Sequence, residues 1–172
     1  PAAQKATEPK KTARVHTRRS PIGPTFDKNA LALHASEKIS AIFGPDFAVL
    51  DNHAVVTRMP MDELLLCDRV VGIDAPRNEL GKGTSWTESD VLPGSWYLHR
   101  GRMPGGVVIE SGQADLFLIS YMGVDRLHSG ERSYRLLGCK LMSHRGLPKP
   151  GETIHYQIAV DGHANQGAVR LF

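Results

Sequence analysis

The sequence predicts an α+β domain in which an antiparallel sheet wraps around one long central apolar helix. The helix is indicated by the run from Val107 to Met122, which is too apolar and too long for a surface strand. The sheet is indicated by strand-like segments, separated by turn residues, on both sides of this run. With 172 residues, 41% of them hydrophobic, the chain can form one domain with a proper core but not two large ones.

The first 28 residues differ in charge from the rest. They hold seven Lys or Arg residues against two Asp or Glu residues, a net charge of +5, whereas the whole chain carries +3 and the remainder about −2. They are rich in Ala, Pro, Thr and Lys without apolar periodicity, which predicts a basic flexible linker over 1–28 and a domain over 29–172. Because aromatic residues do not alternate with the basic ones, nucleic-acid binding by this segment is disfavoured.

The elements that precede the central helix follow from local patterns. Residues 29–43 place apolar side chains near helical spacing, and Gly44-Pro45 predicts the end of this amphipathic N-terminal helix. A loop at 58–60 and a short apolar turn at 64–73 lead into the sheet. Alternation over 81–88 then predicts a strand before the turn at Pro93-Gly94.

Further strands are predicted after the central helix. Residues 134–141 and 153–160 have strand patterns, and the Gly- and Pro-containing segment 146–151 separates them. A last strand begins near Ala168, close to the final residue. Since a sheet would be left with an unpaired edge there, we expect the 172 residues to be part of a longer polypeptide, with the fold incomplete at this end.

Composition also bears on metals, redox state and location. Cys67 and Cys139 lie far apart in apolar runs, which predicts buried core thiols rather than a disulfide or a zinc site. The histidines after residue 120 lack metal-ligand spacing, so no metal is expected. No apolar run approaches the length of a bilayer span, and no secretion signal is evident, so we expect a cytoplasmic protein without membrane contact.

The segment 96–110 combines groups that suit acid–base chemistry. His99 stands just before a Pro-Gly-Gly turn at Pro104, Gly105 and Gly106, and Glu110 stands just inside the apolar helix. An imidazole is a natural base near neutral pH, and desolvation on a buried helix would raise the pKa of a carboxyl and keep it protonated as an acid. The glycine amides at the helix start can bind a polarised carbonyl.

Each of these residues also has a purely structural interpretation. His99 lies beside Trp and Tyr and is compatible with a hydrogen-bonded packing role, and Glu110 is compatible with a carboxylate paired to backbone or to an Arg. Asp115 is about 140° around the helix from Glu110, so we expect it to be a structural partner of nearby amides rather than a member of the same pocket.

Several motifs in order resemble one family. The region from about residue 30 to 172 resembles the β-hydroxyacyl-thioester dehydratases, in particular the dehydratase domains of polyunsaturated fatty acid synthases and related iterative polyketide synthases. The motifs that carry the resemblance are Arg58-Met59-Pro60, residues 64–70, Gly81-Lys82-Gly83-Thr84, Trp96-Tyr97-Leu98, Met103-Pro104-Gly105, residues 109–116 and residues 134–139.

The resemblance implies a hot-dog fold and a lyase that dehydrates 3-hydroxyacyl thioesters to enoyl thioesters. His99 would remove the proton from C2, Glu110 would protonate the departing hydroxyl, and Gly105 or Gly106 would bind the thioester carbonyl. Pro104 and Gln113 would complete substrate binding. It implies no cofactor beyond the phosphopantetheine of acyl carrier protein. The implied partners are that carrier, which Arg100 and Arg102 could contact, and a second hot dog in a homodimer or fused pair.

Two departures from the family pattern leave alternatives open. The resemblance implies a His eight residues before the Pro, but His99 stands five residues before Pro104, and Gln113 follows Glu110 by three residues where four are usual. A non-catalytic half that supports an active partner therefore remains an alternative. An acyl thioesterase is a further one, since a fold does not determine a reaction.

Overall fold

Three antiparallel strands form the main sheet of the protein, in the order β1-β2-β3. The computed structural model describes residues 18–136, 138–166 and 169–172. The strands are β1 Arg69–Asp74, β2 Gly83–Asp90, β3 Thr153–Val160, and the separate pair β4 Ala164–Gln166 and β5 Val169–Leu171. The helices are α1 Lys28–Ser36, α2 Ile39–Phe43, α3 Gly105–Ser111 and α4 Asp115–Tyr121, with 3₁₀ turns at Pro45–Asn52, Asp62–Leu64 and Val124–Leu127.

This arrangement of helices with antiparallel strands is compatible with the predicted α+β class. The strands predicted at 81–88 and 153–160 are present as β2 and β3. They pair over eight residues, with Thr87 opposite Tyr156. The predicted start of the last strand, Ala168, lies outside the described residues. In the part of the chain that the structure describes, no helix is both long and apolar enough to span a membrane.

The central helix is not continuous, so this part of the prediction is wrong. Two short helices, α3 and α4, occupy residues 105–121, and the chain breaks the helical path at 112–114. Gly112, where α3 ends, lies against a distant strand: a Cβ added at Gly112 would lie 3.1 Å from the ring of Tyr156 on β3. Glycine at this position therefore lets the phenol ring pack closely against the end of α3.

The two halves of this helical region differ in burial. Phe117, Leu118 and Ile119 of α4 are buried in the main core, which α4 forms with α1, α2, the turn after α2, and β1. The apolar side chains of α3 are only half-buried. They pack on a separate small cluster whose buried members are Val91, Met103 and Ile154. The apolar run thus contributes side chains to two hydrophobic clusters, the main core through α4 and the small cluster through α3.

The predicted N-terminal helix is also divided, at Glu37 and Lys38. Asp27 caps α1 by accepting a hydrogen bond from the Ala30 N–H at 2.8 Å. Leu31 in α1 and Ile39 in α2 are both fully buried. The predicted end of the helix at Gly44 is confirmed, since this residue has φ +93 and caps α2.

Residues 19–27, predicted as linker, contact the sheet. The Phe26 N–H donates to the Val70 carbonyl at 2.9 Å, and the Val70 N–H donates back to Phe26 at 2.8 Å. Arg19 pairs with Asp74 on β1 at 3.0 Å. A Cβ at Gly72 would lie 2.6 Å from the carbonyl oxygen of Ile22, so the close passage of this segment requires glycine there. The linker prediction for 1–17 lies outside the described residues.

Two further predictions are corrected. Residues 134–136 and 138–141 form no regular strand, although Leu136 and Leu141 lie in a segment with a strand pattern; both are about half exposed, at 49% and 48%. No strand among the described residues pairs with this segment. Cys67 is buried as predicted, but Cys139 is exposed, because it belongs to this loop.

Candidate functional site

His99 begins a tight two-residue turn. Its N–H donates to the Arg102 carbonyl at 2.9 Å, and the Arg102 N–H donates back at 3.0 Å. Arg100 and Gly101 have φ values of 49 and 68, the left-handed conformations of a hairpin turn. His99 is exposed. The turn therefore holds the backbone of His99 firmly while it presents the imidazole to solvent.

The turn leads directly into α3. Pro104 precedes the helix as predicted, with φ −62 and ψ 151, and Gly105 and Gly106 open it. The preceding Met103 is buried, and its N–H donates to the Pro148 carbonyl at 2.8 Å, which ties the helix start to the loop before β3. No atom lies within 4 Å of a Cβ built at Gly106, so this glycine faces open space.

Glu110 lies near the end of α3 and is exposed. Its Oε2 accepts a hydrogen bond from Gln113 Nε2 at 2.8 Å, so the two residues predicted as acid and substrate contact do meet. The buried apolar surroundings predicted for Glu110 are wrong. The prediction assumed that one helix is packed on all sides. Instead, α3 covers only the small cluster, and its outer face is exposed to water.

The more buried carboxylate of this region is Asp115, which is half-buried. Its Oδ2 accepts from the Tyr134 hydroxyl at 3.1 Å, and its Oδ1 accepts from the Leu116 N–H at 3.0 Å. Burial raises the pKa of Asp115, while these hydrogen bonds act in the opposite direction. Asp115 thus lies in the first turn of α4 and anchors the following loop through Tyr134, a structural role of the kind predicted for it.

One small cluster brings the two halves of the predicted site together. Tyr97 and Leu98, just before His99, pack on the same buried residues as Val107 and Val108 of α3. His99 directly follows Leu98, Glu110 follows Val108 by two residues, and both His99 and Glu110 are exposed. Neither residue lines either of two cavities, of about 560 and 570 Å³, that other described residues form.

Sequence reasoning missed a buried polar contact beneath α3. The Tyr156 hydroxyl donates to the Val108 carbonyl at 2.9 Å and accepts from the Ser111 hydroxyl. Burial raises the pKa of Tyr156. Ser111 interrupts the apolar run, and Tyr156 lies on the core-facing side of a predicted strand, but nothing in the sequence pairs them.

Another missed group is His34, which is fully buried in the main core. Its Nδ1 accepts from the Met59 N–H at 3.1 Å, and its Nε2 lies 2.9 Å from Ser120 Oγ. Burial, with a smaller contribution from Arg58, lowers the pKa of His34 to about 3. This neutral histidine connects α1 to α4 and lies apart from His99 and Glu110.

Among the residues that the structure describes, no group of three or more His, Cys, Asp or Glu side chains could hold a metal ion. The groups near α3 that suit chemistry are therefore neutral hydroxyls, exposed His99 and Glu110, and backbone amides.

Comparison with known proteins found a similarity to a fatty acid synthase subunit. No family model matches the chain. The chain is 39% identical over 150 residues to one of the subunits of the polyunsaturated fatty acid synthase of a Thraustochytrium species, an alignment that takes in 86% of this chain and 10% of that protein. The chain is related to a polyunsaturated fatty acid synthase. It spans about a tenth of the length of this relative.

Proposed function

We propose that the chain is a hot-dog dehydratase domain of a polyunsaturated fatty acid synthase, which converts 3-hydroxyacyl thioesters on acyl carrier protein to enoyl thioesters. The similarity to the Thraustochytrium synthase supports this proposal. A match over 86% of the chain must include its middle, where the segment from His99 to Glu110 lies. That segment contains the base, the amides and the acid that the reaction needs.

In the proposed reaction, the His99 imidazole takes the proton from C2, and the Glu110 carboxyl gives a proton to the 3-hydroxyl. The C3–O bond breaks, water leaves, and the C2 electron pair forms the double bond. A Gly105 or Gly106 N–H donates to the thioester oxygen as charge develops there. Transfer of the proton from the imidazole back to the carboxylate restores both groups.

The proposed site needs a second domain to exclude water. His99 and Glu110 are both exposed beside the small apolar cluster. A partner hot dog placed over this face would desolvate both groups and strengthen their interaction with a bound thioester. Acyl carrier protein would deliver the substrate on its phosphopantetheine, with Arg100 and Arg102 close to the entrance.

A second candidate function is a non-catalytic half that supports an active partner. One observation favours it: the position eight residues before Pro104, where the resemblance implies the base, holds Trp96. Trp96 is 59% exposed, and its indole N–H donates to the Glu63 carbonyl at 3.3 Å. Indole cannot accept the C2 proton, so in this alternative the histidine would come from the partner hot dog.

Separate substitutions in the intact synthase distinguish these functions. We expect His99→Ala and Glu110→Gln each to lower dehydration of a 3-hydroxyacyl carrier-protein substrate by at least about 10²-fold. The control His144→Ala changes an exposed histidine in a loop and should have no effect. Full turnover in both site variants would exclude the catalytic proposal, and release of free carrier thiol would identify a thioesterase instead.

A further inference from the structure

The segment 19–27, here called the strap, lies across one face of the main sheet. At its end, Phe26 and Val70 exchange two backbone hydrogen bonds along the edge of β1. Before that point its backbone passes over β1, where a Cβ added at Gly72 would lie 2.6 Å from the carbonyl oxygen of Ile22. The strap is therefore packed on β1 at two separate positions.

The strap begins with Arg19, whose contacts reach all three strands. Its Nη1 donates to Asp74 Oδ2 of β1 at 3.0 Å, and its Nη2 donates to Thr84 Oγ1 of β2 at 2.8 Å. Its backbone N–H donates to Gln157 Oε1 of β3 at 3.0 Å. The guanidinium also lies over the ring of Trp86, 5.4 Å from the ring centroid, which is within the range of a cation–π interaction.

These four groups of the sheet match a guanidinium in shape and charge. A planar guanidinium donates in fixed directions, so it can bond a carboxylate and a hydroxyl while its face lies on an aromatic ring. Asp74 stands opposite Thr84, and Trp86 stands opposite Gln157. The Trp86 indole N–H donates to the same Gln157 oxygen at 3.3 Å, which orients that acceptor. The register of the three strands therefore assembles the site.

The burial of Trp86 depends on the strap. Among the described residues, Trp86 belongs to neither the main core nor the small cluster, yet it is only 5% exposed. Arg19 covers its ring, and Gly72, the residue opposite Trp86 on β1, lies against Pro21 and Ile22. Departure of the strap would therefore expose the indole to solvent.

The site is open to solvent on one side. A cavity of about 570 Å³ lies beside Arg19 and is lined by Trp86 and Gln157. The side chain of Arg19 is 50% exposed, and that of Asp74 is 42% exposed. The contacts of Arg19 therefore have to compete with water, as those of a reversible ligand do.

We propose that Asp74, Thr84, Trp86 and Gln157 form a guanidinium-binding site, which the chain's own Arg19 occupies. The ligand class is an arginine side chain at the start of an extended segment. When the site is filled, the strap closes over Trp86, and when it is emptied, the whole strap leaves the sheet. The folded domain accordingly begins at Arg19 rather than at residue 29. This device is independent of the reaction that the domain performs.

Acrylamide quenching of Trp86 fluorescence tests the site in the full 172-residue chain. Trp96→Phe removes the other tryptophan, which is 59% exposed, so that all emission comes from Trp86. In this background we expect Arg19→Ala to raise the quenching constant at least about threefold, because local opening of the strap admits the quencher. Arg18→Ala removes the neighbouring exposed arginine and should leave the quenching constant unchanged.

A second pair of variants tests the selectivity of the site. Arg19→Lys keeps the charge, but an ammonium cannot bond Asp74 and Thr84 with the fixed geometry of a guanidinium, so we expect quenching close to that of Arg19→Ala. Asp74→Asn keeps the shape of the acceptor and removes its charge, and should raise the quenching constant from the other side of the contact. It serves in place of Arg19→Ala if that variant loses its circular dichroism spectrum.

Hydrogen exchange measures whether the strap leaves as one unit. Arg19→Ala should speed exchange of the Phe26 and Val70 amides at least about fivefold, while the buried amides of α4 keep their rates. Equal quenching in Arg19→Ala and Arg18→Ala would overturn the site, and full protection of Trp86 in Arg19→Lys would overturn its selectivity for a guanidinium. Faster quenching with unchanged exchange at Phe26 and Val70 would overturn the release of the whole strap.

Discussion

The buried His34 makes the stability of the protein sensitive to mild acid. Because Nδ1 accepts the Met59 N–H, the ring proton is on Nε2, which donates to Ser120 Oγ. Both ring nitrogens are thus satisfied only in the neutral form. Protonation would place a cation in an apolar core beside Phe43 and Phe117, and would turn the Nδ1 acceptor into a donor that faces another donor.

The magnitude follows from the two pKa values. The pKa of His34 is about 3 in the folded protein against 6.5 for the ordinary side chain. Since the folded pKa is depressed, its contribution is complete above pH 6.5 and is lost as pH falls toward 3. At about 1.4 kcal/mol per pH unit, the loss is about 2 kcal/mol at about pH 5. That is a substantial part of the roughly 5–15 kcal/mol that stabilises a typical domain.

Urea unfolding of the chain at about pH 7 and about pH 5 measures this effect. We expect His34→Gln, which keeps one acceptor and one donor, to be less stable at neutral pH by about 1–3 kcal/mol but to lack the extra acid loss of about 2 kcal/mol. His144→Gln removes an exposed histidine and should behave as the unchanged chain does. If the free energy of unfolding falls equally between these pH values in His34→Gln and in the unchanged chain, His34 is not the source of the acid sensitivity.

Three further substitutions test the packing. Arg69→Met removes pairs of 2.6 and 2.7 Å with Glu88 and Asp90, so urea unfolding should show a loss of about 1 kcal/mol or less that shrinks in high salt. Gly72→Ala should lower the thermal midpoint, because its Cβ would press to 2.6 Å on the N-terminal segment. Gly112→Ala should cost about 1–2 kcal/mol and speed hydrogen exchange across α3, because the ring beneath it must move.

Controls are available in the same chain. Gly146→Ala adds a Cβ with no atom within 4 Å and should leave the thermal midpoint unchanged. A Gly72→Ala midpoint equal to that of Gly146→Ala would contradict the close passage over β1. A salt-independent loss in Arg69→Met would contradict an ion-pair contribution from Arg69.

Local chemistry was enough to predict several features. Alternation located β2 and β3, the Gly-Pro pair located the end of the N-terminal helical region at Gly44, and Pro104 located the start of α3. These features depend on residues close together in the chain, whose periodicity and backbone restrictions act directly on local conformation. The sequence also gives directly the order in which His99, Gly105, Gly106 and Glu110 occur.

Contacts between distant residues decided the rest. Tyr156, on a strand far along the chain, packs against Gly112 where α3 ends, and the N-terminal segment lies on the sheet because Gly72 leaves room for Ile22. Glu110 is exposed because the outer face of α3 is uncovered. Sequence alone determined which segments can be helix or strand and which groups are available for chemistry. Only the tertiary structure decided which are buried together, because burial depends on the partner that covers each face.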